Sequence, residues 1–443
     1  MKKYNFKPIY YLGAKSRFLA DINSAIDDIS PKGGRVCDLF SGSGVVGGYL
    51  SKTRPVTAVD IQEYSRILSS AILNPAGMNS KYIEEIISNI KHSELLNEII
   101  ECVTPMLEIE ENYISQANIG RPDSLVHLLE SPPLTVWNKD SAIVDSSLNE
   151  AKEKSIRSLM NKGLLTNPNT TVLRYFGGIY FSFYQSIILD MILHESEKYD
   201  GEVRDTLKAV ALSTASSLVN TVGKQFAQPL RPRNKDGSIK SNITSLVNRD
   251  RTIDPLQSCT DWLHRYSSLP LTDGNSIALR MDYKDAITEY GDELSVIYAD
   301  PPYTRDHYSR FYHVLETMSL RDNPSISTSI KGGKIEWSRG IYRENRHQSP
   351  FCIRSSAPSA FEDLFKKSSD YNIPLVLSYS PHEDGDGTHP RVVSTNKIIE
   401  IANAFYKKVS FISIDGIAHN QLNRRDLNLK KRACAEVILK CSF

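Results

Sequence analysis

Asp300-Pro301-Pro302-Tyr303 sets a carboxylate, two prolines and an aromatic ring in succession. Proline carries no amide hydrogen, so the Asp300 carboxylate and the Pro301 carbonyl are acceptors held by a stiff turn. Acceptors so placed suit a substrate that brings the donors, and an amino group with two hydrogens is the simplest such substrate. Tyr303 adds a ring face on which a planar base can stack, worth about 1–3 kcal/mol.

These residues close the apolar run Val296-Ile297-Tyr298-Ala299, which reads as a buried strand of a parallel sheet. Ligands of open α/β sheets bind at the carboxyl ends of strands. Arg35-Val36-Cys37-Asp38-Leu39-Phe40 reads as an earlier strand, and Ser41-Gly42-Ser43-Gly44-Val45-Val46-Gly47-Gly48 as a glycine-rich turn opening a helix. Val56-Thr57-Ala58-Val59 follows as the next strand, with Asp60 at its end. The glycines allow a ligand close to the backbone, and a strand-terminal acid can accept both hydroxyls of a ribose.

Gly42-x-Gly44-x-x-Gly47 also satisfies the dinucleotide fingerprint, which would make the chain a nicotinamide oxidoreductase. Asp38 argues against it. An acid at the strand-to-turn junction repels a pyrophosphate and favours a ligand that is cationic there. S-adenosylmethionine, with an ammonium and a sulfonium, meets that demand. Ser276 to Met281 resumes strand character, and Asp282 and Asp285 after it are both candidates to accept from the donor's adenine amino group; the spacing does not choose between them.

Between the two groups of strands the alternation stops for some 200 residues. Ile83, Ile86, Ile87 and Ile90 recur at helical spacing, and an aromatic run from Tyr175 to Tyr184 leads into a second apolar helix, with a third near 203–219. The aromatic run reads first as core packing. From Gly223 to Arg251 the basic residues Lys224, Arg231, Arg233, Lys235, Lys240, Arg249 and Arg251 face only two acids, in a segment that Pro229, Pro232 and Gly237 keep loop-like. Arginine and amide side chains contact phosphates and base edges, although a solvated basic loop has equal claim here. Arg305, Tyr308 and Arg310 form a second basic and aromatic cluster.

Bulk composition is that of an ordinary globular chain, 40% hydrophobic and 24% charged. A net charge of only +1 means that phosphates would be met by local patches. Six scattered cysteines without a CxxC pair give no zinc ribbon and no disulfide framework, which fits a reducing cytoplasm, and the chemistry calls for no metal.

Leu12-Gly13-Ala14-Lys15, the Asp38-to-Gly44 loop, Asp60 and Asp300-Pro301-Pro302-Tyr303 occur in an order that resembles the DNA adenine-N6 methyltransferases typified by deoxyadenosine methylase. The resemblance covers the first 65 or so residues and 275 to 443. It implies a Rossmann-like α/β sheet with a C-terminal antiparallel hairpin, formed by 1–70 and 275–443. The large, mainly helical insertion at 71–274 would serve target recognition. It implies a donor site at Tyr11, Gly13, Lys15, Asp38, Phe40, Gly42, Gly44 and Asp60, with Lys15 on the donor's carboxylate and Phe40 as a wall. The catalytic residues would be Asp300, Pro301, Pro302 and Tyr303, and double-stranded DNA would lie on Lys224, Arg231, Arg233, Lys235, Arg305, Tyr308 and Arg310. A companion restriction endonuclease is a candidate partner. An RNA adenine methyltransferase, an N4-cytosine enzyme and an inactive DNA-binding relative are the alternatives.

Overall fold

The structure is a computed structural model that describes residues 6–11, 13, 15–138, 145–302, 308–331, 334–380, 392–414 and 436–443. Tyr303 and Arg305 lie outside the described residues. The chain divides into two compact units, Met1–Pro75 with Pro270–Ser309 and His347–Phe443, and Ala76–Leu269 with Arg310–Arg346. Residues 310–346 follow the tetrad in sequence, yet pack with the helical insertion instead of the sheet.

The first unit is built on β1 (Val36–Leu39), β2 (Val56–Asp60), β3 (Ile277–Arg280), β4 (Val296–Ala299), β5 (Leu375–Tyr379), β6 (Lys408–Ile414) and β7 (Glu436–Ser442). They form one sheet in the order β3-β2-β1-β4-β5-β7-β6. The first five in that order are parallel, and β7 runs antiparallel to both its neighbours. The expected α/β sheet with its closing antiparallel strands is borne out.

Both faces of the central strands are covered, which is why they read as unbroken apolar runs. Val36, Val56, Val296 and Tyr298 pack on one side with Leu19, Ile22 and Ile26 of the helix Leu19–Ile29. Leu39, Val59, Ile297 and Ala299 pack on the other with Phe361 and Phe365 of the helix Ala357–Asp370. Each buried Val, Leu, Ile and Phe side chain among these contributes about 1.5–3 kcal/mol.

Register then aligns the chemistry. Leu39 lies opposite Val59 and Ala299, so the next residues, Phe40, Asp60 and Asp300, stand at one level at the strand ends. Strand order reverses between β1 and β4, which makes their carboxyl ends the switch point where a crevice opens.

The second unit is mainly helical. Ile83, Ile86 and Ile90 form the buried stripe of the helix Ser80–Lys91. The helix Phe183–Ser196 is buried on nearly all sides and starts with a reciprocal Ser182–Gln185 cap. Its buried Asp190 accepts from the amides of Val172 and Leu173, capping the helix Thr171–Phe176. Phe176, Tyr180, Phe181 and Phe183 are buried, as core packing of the aromatic run requires. An antiparallel hairpin pairs Thr328–Lys331 with Lys334–Trp337. No helix among the described residues is long and apolar enough to cross a membrane.

Candidate active site

A cavity opens at the carboxyl ends of β1, β2 and β4, inside the first unit. Tyr11, Gly13, Lys15, Asp38, Phe40, Asp60, Asp282, Asp300, Pro301, Pro302 and Tyr308 all line it. The tetrad's described residues and most of the expected donor residues therefore share one space.

Asp38 belongs to β1 itself and is 1% exposed. Its Oδ2 accepts from the Gly47 amide at 2.9 Å. A side chain on Gly47 would press its Cβ to 3.1 Å from that same oxygen, so the third glycine of the fingerprint is needed for this approach. Burial pushes the Asp38 carboxyl up to about 8; the Gly47 amide opposes the shift, and the charges of Asp300 and Asp60 add to it.

Asp60 accepts from the Gly42 amide on Oδ2 and the Gln62 amide on Oδ1, each at 3.0 Å. Each carboxylate oxygen has two lone pairs, so the two amides alone do not exhaust its capacity as an acceptor. Burial raises its carboxyl, and the two amides, Ser65 and His347 oppose that shift. Gly42 has φ +55°, and a Cβ there would meet the Tyr11 hydroxyl at 2.5 Å, so the turn admits Tyr11 only as glycine. Gly42 and Gly44 shape the loop and do not themselves line the cavity.

Phe40 has φ +63°, a conformation that a bulky residue rarely holds. The strain turns its ring into an aromatic wall with Tyr283 at 5.5 Å and Phe351 at 5.3 Å. Strain of this kind persists where the surrounding packing over-determines it, commonly at ligand sites. Tyr283, Phe351 and His347 were not singled out from sequence. Tyr283 directly follows the strand-end Asp282, a position that could have marked it; Phe351 and His347 reach the cavity from a distant loop with no local signature.

The two acids after β3 are placed differently. Asp282 lines the cavity and caps the helix Tyr283–Tyr290, while Asp285 is exposed on that helix's first turn, away from the wall.

Lys15 lines the cavity from a buried position. It is 3% exposed, and its Nζ lies 2.8 Å from Glu436 Oε1 and 3.1 Å from Asp300 Oδ1. An ammonium engaged by two carboxylates is poorly placed to serve a third on a ligand.

The basic residues sort themselves within the second unit. The segment expected as loop ends in a helix, Ile243–Arg251. Lys224 and Arg249 both pair with the buried Asp250, at 2.8 and 2.7 Å, and Arg251 bonds Glu110 and the Gly178 carbonyl. Lys224 is therefore part of the packing, not of an open patch. Arg233 pairs with Glu130 at 3.1 Å, while Arg231 and Lys235 are exposed. Arg310 and Arg346 lie 5.6 and 4.9 Å from the Tyr342 ring, and Arg231 acts on the same tyrosine electrostatically. Tyr308, expected on DNA, instead lines the cavity with its ring 6.5 Å from Tyr11.

Residues 11–103 match the family described as MethyltransfD12, D12 class N6 adenine-specific DNA methyltransferase. The modification methylase LlaI of Lactococcus lactis subsp. lactis is 27% identical over 166 residues, 36% of this chain and 22% of that protein. The type II methyltransferase M.FokI of Planomicrobium okeanokoites is 34% identical over 91 residues, 20% of this chain and 12% of that protein. The chain thus aligns with less than a quarter of the length of either relative. Over residues 11–103, which hold the glycine loop and β1 and β2, the chain is thus similar to the D12 class N6 adenine-specific DNA methyltransferases, a family that uses S-adenosylmethionine as methyl donor.

Proposed function

We propose that this chain transfers a methyl group from S-adenosylmethionine to the exocyclic N6 of an adenine flipped out of double-stranded DNA, at a specific site. The observation that carries the reading is the single cavity that joins Asp300 and Pro301 to Asp38, Phe40 and Asp60. The residues present fit the donor. Several carboxylates in one partly enclosed space favour a ligand bearing positive charge, and the Phe40–Tyr283–Phe351 wall suits a flat purine. Asp38 would hold its ammonium, Asp60 its ribose and Asp282 its adenine amino group. When bound, the donor supplies an electrophilic methyl group.

Asp300 and the Pro301 carbonyl accept the two hydrogens of the adenine amino group. That draws the nitrogen lone pair out of conjugation with the ring and aims it across the cavity. A base inside a duplex cannot reach such a recess, so it must leave the stack first. Orientation in a confined space is the main source of rate. Tyr303 would stack on the extruded ring.

The relatives' names, a modification methylase and a type II methyltransferase, support a place in restriction–modification or phage defence, with a companion endonuclease recognising the same site. Incubation with tritiated donor and either duplex DNA or RNA, followed by nucleoside analysis, should yield N6-methyladenine from DNA alone. Label in RNA, or in N4-methylcytosine, would replace the proposed substrate. Donor binding without turnover would make the chain an inactive relative.

For DNA contact we propose the cluster of Arg231, Arg310 and Arg346 around Tyr342, in preference to the paired Lys224 and Arg233. Replacing Arg231 and Arg310 with glutamine should weaken binding across all sequences. The slope of log affinity against log salt should shrink by about 0.9 for each lost phosphate contact. An unchanged slope would return the cluster to a solvated surface.

A further inference from the structure

Glu436 is 0% exposed and belongs to the last strand of the sheet. β7 is antiparallel, so its first residue lies at the edge where the parallel strands end. Glu436 pairs with Ile414 of β6, and Val437 with Tyr379, the last residue of β5. The reversal of this one strand thus delivers a carboxylate to the level of Asp300 from 136 positions further along the chain.

Lys15 arrives from the opposite end of the sequence, just before the helix Leu19–Ile29. Its Nζ bridges Glu436 Oε1 at 2.8 Å and Asp300 Oδ1 at 3.1 Å. The side chains of Lys15 and Glu436 are 2% and 0% exposed, whereas Asp300 keeps 23% toward the cavity. The buried end of the triad is therefore fixed, and the end that looks into the cavity is the catalytic candidate. Charge-assisted bonds of this length are the stronger kind. Holding Oδ1 sets the plane of the Asp300 carboxylate, and with it the direction of the acceptor lone pairs. A lysine that swung out to a ligand would leave two neighbouring carboxylates, one of them fully buried, without this cation, which disfavours that movement.

We infer that Lys15, anchored by Glu436, is a positioning residue for Asp300 and not a ligand of the methyl donor's carboxylate. The inference rests on the methyltransferase reading above, and its test separates the two. The full chain and the variants Lys15→Met, Lys15→Arg and Glu436→Gln are compared in single-turnover methylation of duplex DNA at saturating tritiated donor. Donor affinity is measured separately by calorimetry, and the melting temperature of each variant checks its fold.

Lys15→Met is expected to slow the single turnover by about 100-fold, the effect of a misplacement near 1 Å, with donor affinity unchanged. Lys15→Arg should recover part of the rate, because a cation again faces both carboxylates. Glu436→Gln should slow the wild-type chain but add no further loss to Lys15→Met, since both act through Asp300. If Lys15→Met does not fold, the Glu436→Gln rate and the Lys15→Arg rate decide the matter on the same terms. Weakened donor binding with a normal rate at saturation would overturn the inference in favour of a donor ligand, and a normal rate with normal binding would overturn it outright. A wild-type chain that methylates no adenine would instead overturn the underlying function.

Discussion

Replacement of Asp300 by alanine is expected to abolish methyl transfer, by about 1000-fold or more, while binding of the donor largely survives. The expectation follows from where the carboxylate sits. It leaves β4 one residue beyond the rung shared by Leu39, Val59 and Ala299, and it lines the cavity beside Pro301. An amino nitrogen conjugated with a purine is a poor nucleophile, so the acceptors that change its geometry act chiefly in the transition state. Removal of one preorganised polar partner of that kind costs about 100- to 1000-fold elsewhere. Here the loss should lie at or beyond the upper end, because the alanine variant also leaves the buried Lys15–Glu436 pair facing an empty position. The proposed anchors of the donor, Asp38 and Asp60, belong to other strands and are untouched. Single-turnover rates with tritiated donor, together with calorimetric titration of the donor, check both halves. Near-normal turnover in this variant would sink the assignment of Asp300.

The sheet was legible because its central strands are buried on both faces and must therefore be continuous apolar runs. Polar residues can occur only where those runs stop, and that made Asp60 and Asp300 conspicuous. Asp38 was legible for the opposite reason, an acid inside a run that should be apolar. The amphipathic helix Ser80–Lys91 was plain from its isoleucines, since a single wet face enforces the helical period. Packing choices between distant segments were not legible. Nothing local in residues 310–346 says that they join the helical unit, and nothing near Lys15 names Glu436 as its partner, 421 positions away. The basic stretch misled in the same way. Composition counts charges, but Asp250 alone draws in both Lys224 and Arg249 once the helix Ile243–Arg251 has formed. Whether a cation is structural or open to a ligand depends on which acid the fold brings to it.

Asp38→Asn should weaken donor binding by about 10- to 100-fold and at the same time make the fold more resistant to alkaline pH. The first effect is the loss of one charge-assisted hydrogen bond, worth about 1.5–3 kcal/mol. The second follows from burial, which lifts the Asp38 carboxyl from its ordinary 3.8 to about 8. Between those values the unfolded chain has released this proton and the folded chain retains it. Stability from this group is therefore fully present below the lower value and declines as pH rises toward the higher one. Asparagine has no proton to lose, so the variant's advantage over wild type should grow from pH 4 to pH 8 and then level off. A cationic donor reverses the demand, since its ammonium binds the ionised carboxylate and expels the proton. Wild-type donor affinity should accordingly climb with pH and flatten near 8, while the asparagine variant shows no such climb from this site. Urea midpoints at several pH values, paired with donor titrations across the same range, test the linkage. Parallel stability curves for the two proteins would mean that Asp38 is already ionised in the folded chain. The carboxylate would then be a pre-charged socket, whereas its burial argues for one that takes its charge when a cation arrives.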